Sequence, residues 1–231
     1  MSDQKITLHV LPPSSNSGVI RTFLLAADIP FDETNAWGQT RTPEYIAKFP
    51  NNCCPAIEHG DFTLAENGAI LRYLCKAFPD KAGKFYSDDI QTAAKIDMVL
   101  DMINTGLCVL IPKACYPTLG FPTYAGDVAS MDETKEHTAK AQKEAGDALL
   151  QYINDKIVGI FLAKTKFLLT DDTPTIADFR LAPMLSQAKV AFELPERVVE
   201  YLSAMDEVPG FKDGMKPVDE FNSQHWKTAD C

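Results

Sequence analysis

A chain of 231 residues that is 45% hydrophobic can bury one large core or two modest ones, and its net charge of -10 argues against nucleic acid or an anionic membrane as a partner. Its six cysteines, with no CxxC pair and no regular spacing, look unlike a secreted disulfide framework, and reduced thiols are the expectation. The opening MSDQKITLHV lacks the basic start and apolar run of a secretory leader, and VGIFLAKTKFLL is short and broken by lysines, so a soluble cytoplasmic protein is expected. In chain order, ITLHVL alternates as a strand does. After the loop PPSSNSG, the residues Ile20, Phe23, Leu24 and Ala27 fall on one face of a helix. A second strand is expected between Phe31 and Trp37. Thr42-Pro43-Glu44 supplies a cap, a first-turn proline and an acid, starting TPEYIAKF as a short helix.

PAIEHGDFTLAE then reads as two strands about a Gly-Asp turn, with His59 in that turn. From Asn67, the residues Ala69, Ile70, Tyr73, Leu74 and Ala77 trace another helical face, which Pro79 closes. Beyond the polar stretch Asp80 to Asp89 the pattern is helical. DDIQTAAKIDMVLDMINTGLCVLI is long and amphipathic, and PKACYPTLGFPTYAG is a Pro-Gly-rich break. MDETKEHTAKAQKEAGDALLQYINDKI turns Leu149, Leu150 and Ile153 inward. TPTIADFRLAPML opens with Thr175 and Asp178 at capping-box spacing, with Asp in place of the usual Glu or Gln. The four histidines, His9, His59, His137 and His225, pair with no cysteine at ligand spacing, so no metal site is expected.

An α/β unit of about 80 residues followed by helices, with a Thr-x-x-Asp cap in the second part, resembles the cytosolic glutathione transferases. CPAIEHGDFTLAENGAILRYL is similar to that family's proline, hairpin, acid and helix-start pattern, and TPTIADFRLA to its later helix cap. LHVLPPSSNSGVIRTFLLAADIPFD looks most like the serine-type members, theta-like or of a related bacterial, nu-like class. The resemblance implies a thioredoxin-like α/β domain over 1–80 that binds glutathione, a linker at 81–90, and an all-α domain over 91–231 that binds an electrophile. It also implies a homodimer that uses glutathione as co-substrate and needs no cofactor.

On this match Ser14 takes the position of the catalytic serine, where a thioredoxin would carry the first cysteine of its redox motif. Ser15 is the neighbouring alternative and Asn16 is placed to assist. As bare sequence, the same serines also suit a turn or an N-cap. A hydroxyl donating to a thiolate contributes about 1.5 to 3 kcal/mol, and a helix N-terminus up to ~2 kcal/mol. At about 1.4 kcal/mol per unit, the two together bring a thiol from ~8.5 to roughly 6 to 7.

Glu66 and Asn67 match the pair that grips the γ-glutamyl end of glutathione. Asn67 replaces the common serine and is expected to cap the helix and donate through its amide. Pro55 matches a proline with a cis bond, and Cys54 would meet the glutathione cysteine through its main chain. Thr40 and Cys53 stand where theta relatives place basic groups for the glycyl carboxylate, leaving Arg41, Asn51 or Asn52 as substitutes. Cys108, Pro112 and Tyr116 fall at the electrophile pocket, and Cys108 replaces an arginine, so a sulfatase-like specialisation is not implied.

Cys53 and Cys54 are not expected to bridge, since adjacent Cα atoms lie ~3.8 Å apart and disulfides span roughly 4.4 to 6.8 Å. The activity implied is addition of glutathione thiolate to small electrophiles, a detoxification reaction, or reduction of hydroperoxides. Alternatives on the same fold are a non-catalytic carrier of apolar ligands, a subunit of an assembly such as translation elongation factor, and a glutathione-dependent disulfide reductase.

Overall fold

The structure is a computed structural model, and it describes residues 5–119 and 131–225. Four strands, β1 (Ile6–Val10), β2 (Phe31–Asn35), β3 (Ala56–His59) and β4 (Phe62–Ala65), form one sheet in the order β2-β1-β3-β4. β1 and β2 run parallel, Ile6 opposite Phe31, so the chain must cross over between them, and α1 (Ser15–Ala26) makes that crossing. β3 lies antiparallel to both β1 and β4, the second pairing closed by a turn in which Gly60 takes a φ of 61°. His59 ends β3 and is buried, rather than sitting in the turn as the sequence suggested.

β1 does not alternate like a half-exposed strand, because both its faces are covered. Ile6, Leu8 and Val10 face the main core. On the other face α2 (Pro43–Lys48) closes a small second core of Ala36, Tyr45, Phe49 and Ala56, and the His9 ring lies 5.2 Å from that of Phe49. Thr42 caps α2 as its sequence predicts, its side chain accepting the Tyr45 N–H at 3.3 Å.

α3 (Asn67–Ala77) packs with α1, and Pro79 opens a one-turn helix, α4 (Pro79–Ala82), that straddles the start of the expected linker. Next comes α5 (Ile90–Met102), which widens into π turns over Ile103–Leu107 and continues as α6 (Cys108–Cys115). The helix therefore passes through Pro112, where a break was expected. The carbonyl that Pro112 leaves without its usual partner belongs to Cys108, the residue at which the wide turn gives way to α6. The rest of the expected Pro-Gly break, from residue 120, lies outside the described residues.

α7 (Met131–Tyr152) runs on through π turns to Leu162, with Leu149 and Ile153 fully buried and Leu150 half-buried. α8 (Ile176–Ala188) is the central helix of the second half, and every residue but Ser186 is buried. Its capping box forms as the Thr175–Asp178 spacing predicts. α9 (Glu196–Asp206) and α10 (Phe211–His225) are the last helices among the described residues, two beyond those the sequence pattern indicates.

α1 joins the halves, packing on α8 and α10 within one continuous apolar core. Gly214 allows the closest approach, since a Cβ there would come 2.7 Å from the Thr22 Cα. Buried Arg21 ties the contact, bonding Glu33 through Nε at 2.6 Å and Nη2 at 2.9 Å, and the Gly214 carbonyl at 3.1 Å. The fold is thus a thioredoxin-like sheet-and-helix domain followed by a helical region.

Candidate active site

The loop after β1 determines which serine meets solvent. Ser14 is the N-cap of α1, extended at φ -77°, ψ 125°, and its C=O accepts the Gly18 N–H at 2.9 Å. Its hydroxyl makes no capping bond and is free to act on a ligand. Beside it lies a cavity of about 430 Å³. Ser14 and Asn16 form one wall, Asn52, Cys53 and Cys54 another, and Trp37, Thr40 and Arg41 a third. Tyr116 of the segment after α6, Leu119, Gln187 of α8 and Phe221 of α10 close the helical side. Ser15 points elsewhere: it is fully buried and its hydroxyl lies 3.4 Å from the Met184 sulfur.

The Cys54–Pro55 bond is cis. Cys53 is exposed at the cavity, whereas Cys54 is half-buried, with its thiol 3.2 Å from the Tyr45 hydroxyl. That hydroxyl also lies 3.1 Å from the Cys53 carbonyl. Burial pushes the Cys54 thiol up, only partly offset by the Tyr45 hydrogen bond, so at neutral pH it is a protonated thiol rather than a nucleophile.

Glu66 occupies the N-cap of α3 with a φ of 71°, unusual for a non-glycine residue and costing about 1 to 3 kcal/mol. Its exposed carboxylate accepts from Asn51 Nδ2 at 3.0 Å. Asn67 is accordingly the first helical residue and not the cap that its sequence position suggested. Its Nδ2 donates to Asn16 Oδ1 at 3.3 Å, while its buried Oδ1 has no partner among the described residues. Glu66, Asn67 and Pro55 do not line the cavity themselves; Asn67 adjoins it through Asn16, whereas Glu66 bonds Asn51, which does not line it.

Of the three residues expected at the electrophile pocket, Tyr116 lines the cavity, and Cys108 and Pro112 do not. The Cys108 thiol is turned to Arg180, whose Nη2 lies 2.8 Å from its sulfur, and burial raises the thiol despite that cation. Arg180, Trp37, Gln187 and Phe221 are site residues that the sequence reading missed. A signal for Arg180 existed: an arginine inside the otherwise apolar run ADFRLAPML must either reach solvent or be satisfied internally.

Neither buried histidine faces the cavity. His9 Nε2 bonds Glu58 Oε1 at 2.7 Å, and His59 Nδ1 bonds the Tyr73 hydroxyl at 2.7 Å. Among the described residues no helix is long and apolar enough to cross a membrane.

A thioredoxin-like sheet whose first helix presents a serine opposite a cis-proline, joined to helices that close the same cleft, defines a class of thiol-handling protein. Residues 4–76 match the family model described as "Glutathione S-transferase, N-terminal domain". The chain is 30% identical over 194 residues to glutathione S-transferase T1 of Arabidopsis thaliana, covering 80% of this chain and 74% of that protein. It is 32% identical over 143 residues to glutathione S-transferase theta-3 of Mus musculus, covering 61% of this chain and 54% of that one. In fold it is similar to the glutathione S-transferase from Xylella fastidiosa, with a TM-score of 0.75 at 21% identity over 93% of this chain and 98% of that one. The apo form of human glutathione S-transferase T1-1 gives a TM-score of 0.74 at 23% identity over 94% and 91%. The chain belongs to the glutathione S-transferase family, with theta-like relatives, and is a transferase enzyme.

Proposed function

We propose that this chain carries out its transferase chemistry by adding the thiolate of glutathione to a small electrophile, with Ser14 as the group that holds the thiolate. The observation that carries the reading is the uncommitted Ser14 hydroxyl at the wall of the cavity, while Ser15 is fully buried with its hydroxyl against Met184. Ser14 donates one charge-assisted hydrogen bond to the sulfur, and the start of α1 adds its dipole, so the thiol ionises near neutral pH without a general base. The main chain at Cys54 receives the cysteine of glutathione, and Glu66 takes its ammonium. Arg41, exposed on the cavity wall, faces the glycyl carboxylate. The electrophile enters from the helical side, against Tyr116, Leu119 and Phe221. In this reading residues 1–80 bind glutathione, 81–90 link, and 91–231 bind the electrophile. The working form is a cytoplasmic homodimer serving detoxification, with hydroperoxide reduction as a second use of the same thiolate.

Ser14→Ala is the direct test. Conjugation should slow by about one to two powers of ten, glutathione binding should change less, and the pH at which the rate rises should move up by about one unit. If Ser15→Ala shows these effects and Ser14→Ala does not, the assignment is overturned.

A further inference from the structure

A buried cation stands behind this site. Arg21, Arg72 and Arg197 each pair with a carboxylate, but Arg180, only 5% exposed, meets none among the described residues. Its guanidinium instead donates to two amides and a thiol: Nε to Asn104 Oδ1 at 3.0 Å, Nη1 to Asn16 Oδ1 at 3.0 Å, and Nη2 to Cys108 Sγ at 2.8 Å. A charge so nearly desolvated with no carboxylate bonded to it is costly, and it leaves a positive field on which the Glu66 carboxylate acts only through space. That field reaches the cavity through Asn16. Arginine has only donors, which fixes the Asn16 oxygen toward it, and Asn67 donates to the same oxygen. With Oδ1 doubly engaged, the Nδ2 end of a cavity-lining amide is left to donate to a ligand.

We propose that Arg180 is a positioning residue for the transferase reaction: it locks the Asn16 amide as a donor at the cavity wall and supplies the positive field in which the bound thiol ionises. This deepens the reading of Ser14 as thiolate donor and rests on it. Arg180 spans from the helical region to α1 and, through Asn16 and Asn67, to α3, so one side chain couples both walls of the cleft. The other titratable groups facing the site are Arg41, Cys53, Cys54 and Tyr116 on the cavity, with Glu66 and Cys108 near the guanidinium. Apart from Arg41, which is exposed and screened, none of these adds positive charge.

The test uses the full chain and reads the thiol directly, by the ultraviolet absorbance of bound glutathione thiolate against pH, alongside kcat and KM. Arg180→Met keeps the volume and removes the charge. It should raise the pH of half-ionisation by about one unit, lower kcat/KM at pH 7 about tenfold or more, and leave KM for the electrophile nearly unchanged. Arg180→Lys should recover part of the shift. Asn16→Asp forms an ion pair with Arg180 and so preserves the architecture while cancelling the field. It should raise the half-ionisation pH by a similar amount. Asn104→Ala removes a partner of Arg180 away from the cavity and should leave the ionisation pH in place.

A folded Arg180→Met protein with unmoved ionisation overturns the proposal. If that variant does not fold, unmoved ionisation in Asn16→Asp does so instead. If unsubstituted protein binds no glutathione, or ionises it independently of Ser14, the underlying reading fails. If that dependence on Ser14 stands while the Arg180 and Asn16 variants are silent, this inference alone fails.

Discussion

Replacing Asp178 with alanine should destabilise the protein without touching the cavity. The carboxylate is fully buried under the start of α8 and accepts the Thr175 N–H at 2.7 Å, the Thr175 hydroxyl at 2.9 Å, the Leu168 N–H at 2.8 Å and the Tyr201 hydroxyl at 3.3 Å. Two backbone donors would be orphaned in the interior, each costing about 1 to 3 kcal/mol. Against this, the native protein spends energy on burying the charge, and that burial lifts the carboxyl above its ordinary range. The net loss should be about 3 kcal/mol, a large part of the ~5 to 15 kcal/mol typical of a folded chain.

The linkage has a definite sign. A folded pKa raised above the unfolded ~3.9 means that this group's contribution is full below that value and is lost as pH rises through the folded pKa. Asp178→Ala should therefore also flatten the pH dependence of stability in the weakly acidic range. Urea unfolding with an unchanged slope and a lowered midpoint is the assay. A loss under about 1 kcal/mol would refute the reasoning, since it would mean that the Leu168 and Thr175 N–H groups find other partners.

The cavity-facing thiols should be dispensable side chains. Cys53→Ser with Cys54→Val should keep kcat/KM within about tenfold, under ~1.4 kcal/mol in the barrier, and a dead double variant would move the chemistry from Ser14 to the thiol pair. The buried thiols should resist modification: burial holds Cys75 and Cys115 up at about 12, so alkylation at pH 8 should label Cys53 and leave those two intact until the protein unfolds. The same raised values make stability fall as pH climbs from about 8.5, the unfolded thiol value, toward about 12. Equal urea midpoints at pH 7.5 and pH 10 would contradict this.

How much of this was legible beforehand follows from the range of the interactions involved. Thr42-Pro43-Glu44 starts α2, Gly60-Asp61 turns the hairpin, and Thr175 with Asp178 caps α8, because each device acts over three or four residues and writes its chemistry into adjacent positions. The inward face of α1 was likewise readable from Ile20, Phe23 and Leu24. Even the family pattern rests on such local stretches. Periodicity shows that a helix has an apolar face, but not what that face meets.

Tertiary structure decided the rest. Ser14 and Ser15 are adjacent in sequence, and the loop after β1 together with the packing of α1 on α8 puts one at the cavity and the other against Met184. Pro112, a breaker by local rules, is carried inside α6 because the π turn precedes it and the core closes around the continuous helix. The far wall of the cavity, with Gln187 and Phe221, exists only once α8 and α10 fold back on α1. Interactions between near neighbours made the strands and helices of the first 77 residues, the caps at Thr42 and Thr175 and the candidate serines readable in advance. The choice between the serines, and the bond from Arg180 to Asn16 across 164 positions of chain, came from long-range packing, because a contact of 3.0 Å between such distant residues leaves no trace in the spacing of either.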